Sequence, residues 1–98
     1  MVIEMKKTET EIVIELAGRL DTSTAPTLEK TIAENVEEST NLLLNMKDLE
    51  YISSAGLRVL LGAQKRMQKH GSMKLQQVTP EVMEVLEMTG FADILKIE

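Results

Sequence analysis

The sequence predicts a single α/β domain over residues 1–98, a mixed sheet with helices packed on it in the element order β-β-α-β-α-β-α-β. Three observations predict this. Short runs that are apolar on alternate or successive residues are separated by longer stretches whose apolar residues recur at helical spacing. Only the first two runs adjoin, joined by a polar stretch short enough for a hairpin, and capping residues stand where the period changes. Strands that alternate with helices imply parallel neighbours and right-handed crossovers, with one antiparallel pair from the hairpin. A chain of 98 residues buries one core and leaves no room for a second domain beside a catalytic one.

Val2, Ile3 and Met5 alternate with Glu4 and Lys6, which predicts a short half-buried strand; Ile12, Ile14 and Leu16 predict a second, with the turn over residues 7–11. GRLDTSTAP then gathers turn and capping residues, and Pro26 suits a first helical turn, where its missing N–H is harmless. The helix that follows carries Leu28, Ile32 and Val36 on one side with Glu29, Lys30, Glu34 and Glu37 on the other, and should fray over residues 38–40. LLLNM at 42–46 is apolar on successive residues, as in a central strand covered on both faces. From Ala55 to His70 the helical period returns through Leu57, Leu60, Leu61, Gln64 and Met67, with Gly71 placed as a left-handed C-cap. Met73, Leu75 and Gln77 predict another strand. Thr79-Pro80 opens a last helix through Val82, Val85, Leu86 and Thr89 to Gly90, and residues 94–97 predict an edge strand.

Composition narrows the function. A net charge of -5 argues against nucleic acid and anionic membrane surfaces, which are bound through clustered Lys and Arg. The chain has no Cys, hence no disulfide framework, thiolate metal site or Cys nucleophile. With no span-length apolar stretch and no signal-like amino terminus, the cytoplasm is the expected location. The single imidazole, His70, sits where a cation meets a helix dipole and has no second His to build a metal site or triad. GxGxxG and GxxxxGK[ST] phosphate loops are absent, so no cofactor and no metal are expected. Asp21 and Asp48 are the carboxylates at predicted strand ends, where phosphoryl or metal chemistry sits in parallel sheets, yet Asp21 equally suits capping the helix that begins near Ser23, and Asp48 an Asx-turn. A phospho-aspartate receiver or small hydrolase built on them lacks the acidic pair expected after a first strand, because this chain opens with a hairpin.

YISSAGL at 51–57 holds the sharper signal. One serine suffices to cap the following helix; the other stands at the first helical position, near the carboxyl end of the central strand. A phosphate there would meet free N–H groups and the positive dipole end, with Gly56 leaving the backbone uncovered beside it. On the same helix Ala55, Val59, Gly62 and Arg66 fall in line, flanked by Arg58 and Lys69, which predicts an outward partner face of small residues with basic edges.

Three stretches carry a family resemblance: GRLDTSTAP, similar to a Gly-x-Leu/Ile-Asp segment before a first helix; LLLNMKDLEYISSAGL, similar to a central strand with an Asp-Ser-Ser/Ala-Gly-Leu turn; and MTGFADIL. Over nearly its whole length the chain resembles the small STAS domains, whose type members are bacterial anti-sigma factor antagonists. The resemblance implies a binding switch rather than an enzyme. Ser54 would be phosphorylated by an anti-sigma factor that is also a serine kinase; the unphosphorylated antagonist would sequester that kinase, and a metal-dependent serine phosphatase would reset it. It also brings Asp21 and Thr22 into the partner surface. Many antagonists have Asp where this chain has Ser53, which leaves Ser53 as an alternative acceptor and makes a STAS module that is never phosphorylated, within a transport system or signalling assembly, the other reading.

Overall fold

The computed structural model describes residues 1–36 and 40–98. β1 (Val2–Lys7) and β2 (Glu11–Leu20) form the hairpin; α1 (Ala25–Asn35), β3 (Thr40–Ile52), α2 (Ser54–His70), β4 (Gly71–Gln76), α3 (Pro80–Met88) and a single 3-10 turn (Phe91–Asp93) follow. The sheet runs in the order β1-β2-β3-β4, with β1 antiparallel to β2 and the other neighbours parallel. β3 is central, as its apolar run predicts.

It is covered on one face only. Ile12 and Ile14 pair with Leu42 and Leu44, and these with Met73 and Leu75, so all six point to one side and are buried. Leu28 and Ile32 of α1, Leu57, Leu60 and Met67 of α2, and Val82 and Leu86 of α3 join them in one core. The expectation of cover on both faces fails at Leu43, which is only partly buried and sits on the opposite face among Val13, Asn45 and Lys74. Leu44 is fully enclosed, and its truncation to Ala would cost about 2–5 kcal/mol.

β3 is also longer than its apolar run. Between the pairs Glu15↔Asn45 and Ala17↔Asp48, and again between Gly18↔Leu49 and Arg19↔Tyr51, the ladder shifts register, each time with one extra residue on β3. Its buried residues therefore step by three, Met46, Leu49 and Ile52. That spacing breaks the two-residue period, so Asp48 is not at a strand end but inside β3, exposed and opposite Ala17.

Other differences are local. β1 is an edge strand, and only Ile3 packs against the core, while Val2 and Met5 are exposed rather than half-buried. α1 ends at Asn35 with Val36 as C-cap, while Glu37 and the expected fraying at residues 38 and 39 lie outside the described residues. Gly71 caps α2 through its N–H to the Met67 carbonyl, at φ 156° and ψ −126° rather than in the left-handed helical well, because it already begins β4. The His70 side chain lies outside what is described. β4 stops at Gln76, and Gln77 takes φ 53°, ending the alternation. The final edge strand is reduced to one bridge, Leu75↔Ile97, held by Leu75 N–H to the Lys96 carbonyl and Glu98 N–H to the Leu75 carbonyl. The Ile94 and Leu95 N–H groups both donate back to the Phe91 carbonyl at the end of the 3-10 turn, so the first half of the expected strand is not free to pair.

Candidate functional site

The parallel pair β2–β3 ends on Leu20 and Ile52, and the Ser53 N–H donates to the Leu20 carbonyl over 2.9 Å. Two loops, one opening at Asp21 and one at Ser53, are thereby held side by side at the carboxyl ends of the strands, the edge where parallel sheets present ligands and partners.

Ser53 is the N-cap of α2: its backbone is extended, its hydroxyl oxygen accepts a long 3.4 Å bond from the Gly56 N–H, and its carbonyl takes the Leu57 N–H. Ser54 is the first helical residue, exposed, and its hydroxyl makes no hydrogen bond to a described residue. The pair therefore divides its work, one hydroxyl capping the helix and the other free at its positive end.

Asp21 is a turn-former. Its Oδ1 accepts from the Ser23 hydroxyl at 2.7 Å and from the Ser23 and Thr24 N–H groups at 3.0 and 3.2 Å. Chiefly the Ser23 hydroxyl, aided by those N–H groups and against some burial, holds its carboxyl below the usual range. The Thr24 hydroxyl donates to the Arg19 carbonyl at 2.8 Å and accepts from the Asp21 N–H at 2.9 Å, so it closes the loop rather than capping α1. Asp21 thus forms an Asx-type turn ahead of the helix instead of capping it, and Thr22 is left exposed at the loop's apex. Asp48 lies elsewhere, bordering a shallow depression with Glu50, Thr79 and Glu81, so the two aspartates do not form one site. Among the described residues no three His, Asp or Glu side chains gather to hold a metal ion.

The helix stripe is only partly what its spacing predicts. Arg58, Gly62 and Arg66 are exposed and Ala55 is half-buried, but Val59 is 6% exposed and belongs to the core, so the stripe does not face outward along its length. It turns toward α1, where Val59 and Ala63 meet Ile32 along the floor of a groove. Gly56 is likewise buried, not uncovered: a Cβ there would stand 2.7 Å from Leu20 Cγ and 2.9 Å from Ile52 Cγ1. Thr22, Ala55 and Arg58 do converge, around a depression at the Ser54 end of the same groove. Sequence reasoning passed over Arg19, whose Nε lies 3.7 Å from Asp21 Oδ2, and Glu29, the acidic rim of the groove; two charges at alternate positions, Arg19 and Asp21, were the available signal.

The sequence pattern of the STAS domain matches residues 2–98. The chain is similar to the anti-sigma-B factor antagonist of Bacillus subtilis (strain 168), 31% identical over 96 residues that span 97% of this chain and 88% of that protein. It is similar to the anti-sigma F factor antagonist of Paenibacillus polymyxa, 32% identical over 98 residues, 97% of this chain and 84% of that protein. Its fold resembles that of the Bacillus cell fate determinant SpoIIAA in the phosphorylated form, with a TM-score of 0.77 at 19% identity, covering 99% of this chain and 91% of that one.

Proposed function

Because the chain belongs to the STAS domain family, we propose that it is an anti-sigma factor antagonist: a binding protein, not an enzyme, that sequesters an anti-sigma factor with serine kinase activity and is released by phosphorylation at Ser54. The observation that carries this reading is the division between the two serines, with Ser54 exposed and unbonded at the first position of α2 while Ser53 is tied to Gly56 and Leu20. Relatives named as antagonists at full-length similarity support the partner class, and the phosphorylated form of SpoIIAA supports the chemistry on this fold.

A phosphate on Ser54 adds a charge of about -1.5 to -2 at a helix N-terminus, where free N–H groups and the dipole accept it, so the fold tolerates it. The bound partner does not. A dianion pressed against a surface that had met a hydroxyl costs on the order of 2–5 kcal/mol, roughly 30-fold to several thousand-fold in affinity. Asp21 and Thr22 on the first loop, Ser53 at the start of the second and Ala55 and Arg58 in the opening turns of α2 share the carboxyl edge of the sheet with Ser54 and would form the contact surface. A metal-dependent serine phosphatase would restore the binding form.

Incubation with the anti-sigma kinase and ATP, followed by mass spectrometric mapping, should place phosphate on Ser54. Ser54→Ala should bind and resist modification, Ser54→Asp should bind weakly, and Ser53→Ala should still be phosphorylated. Phosphate found on Ser53, or Ser54→Asp binding as tightly as the parent, would overturn the assignment.

A further inference from the structure

The two glycines of α2 differ. Gly56 is forced by Leu20 and Ile52, but around Gly62 a Cβ would meet nothing within 4 Å. No contact within the described chain calls for glycine at this exposed position, although it weakens a helix interior relative to alanine.

Gly62 opens onto the groove between α1 and α2, a cavity of about 150 Å³ floored by Ile32, Val59 and Ala63, with Glu29 on the α1 rim and Arg66 on the α2 rim. Toward the Ser54 end it continues past Val59 and Glu29 into a depression of about 320 Å³ walled by Arg58. α2 carries Arg58, Lys65, Arg66 and Lys69 and no Asp or Glu, in a chain of net charge -5. These four are exposed, and none makes an ion pair with a described residue. The α2 rim is thus a cationic edge without internal partners beside an apolar floor.

Resting on the antagonist reading above, we propose that this groove receives a helix of the anti-sigma factor whose one flank is acidic. Arg58 and Arg66 stand eight residues apart, about 12 Å along α2, which is the spacing of carboxylates two turns apart on a facing helix. An apolar ridge between them would settle on Val59 and Ala63, with Gly62 allowing close backbone approach. The acidic Glu29 rim fixes the orientation, since a carboxylate flank turned the other way would face it. The floor favours a protein helix over an anionic lipid surface, which would be repelled by the remaining charge of the chain.

The test is the affinity of the full chain for the anti-sigma factor, measured by calorimetry at low and high salt. Arg58→Glu with Arg66→Glu should weaken binding by about 100-fold and flatten its salt dependence. Gly62→Leu should weaken it at least about tenfold while its melting temperature stays at or above the parent's. An Asp or Glu to Lys change on one partner helix should restore affinity for the Arg66→Glu form. If the parent chain binds and the Arg66→Glu and Gly62→Leu variants bind equally well, the groove is not the docking site and the antagonist reading stands. If the parent does not bind the anti-sigma factor at all, both fall. Sedimentation of the chain with phosphatidylserine–phosphatidylcholine vesicles, lost in the double arginine variant, would overturn the groove proposal in favour of a lipid surface.

Discussion

The Arg19 guanidinium lies 4.2 Å from the centroid of the Tyr51 ring, across the β2–β3 ladder where the two residues are paired. The stack holds the last exposed rung before the two loops. Tyr51→Ala should lower unfolding free energy by about 0.5–1 kcal/mol, and a urea double-mutant cycle with Arg19→Ala should return a coupling of that size.

Gly56→Ala should destabilise the domain by about 1–3 kcal/mol, since the new methyl has only Leu20 and Ile52 to displace. Gly62→Ala should raise stability by up to about 1 kcal/mol, because the helix gains and nothing is crowded. Urea midpoints of the two variants should move in opposite directions.

Ser53→Ala should lose about 0.5–1 kcal/mol, toward the low end of capping effects because its bond is 3.4 Å long. Ser54→Asp should hold or gain about 0.3–1 kcal/mol from the helix dipole. Circular dichroism melts should thus rank Ser54→Asp above Ser53→Ala.

The Asp21 carboxyl is held below its ordinary range, first by the Ser23 hydroxyl. A depressed carboxylate stabilises the fold above its unfolded value and loses that contribution as pH falls through its folded value. The melting-temperature gap between the parent and Asp21→Asn should therefore be constant near neutrality and shrink between about pH 5 and pH 2. A gap that widens on acidification would contradict the turn geometry.

Much of this was legible because local chemistry and tertiary packing agree. Thr79-Pro80 opens α3 as written, with the Thr79 hydroxyl accepting from the Val82 N–H, and the Ser53 cap opens α2. What misled was periodicity near functional edges. LLLNM looks doubly covered, but Leu43 stands only partly buried between Val13 and Lys74, on the face opposite the helices. Val59 shares helical spacing with Ala55 and Gly62, yet burial at that position is decided by α1, which a pattern within α2 cannot reveal.

The register shifts give β3 slack. Over the ladder from Glu11↔Asn41 to Leu20↔Ile52 it is two residues longer than β2, with Met46, Lys47 and Glu50 answering no rung there. Shortening the chain by Asp48 or by Glu50 would remove surplus length, so Met46, Leu49 and Ile52 would keep their inward sense and the Leu20–Ser53 tie could re-form. The bend that the surplus imposes would relax instead, and with it the angle at which α2 leaves the sheet. Length at this point sets where the helix start is aimed, and it can be varied without rewriting the interior.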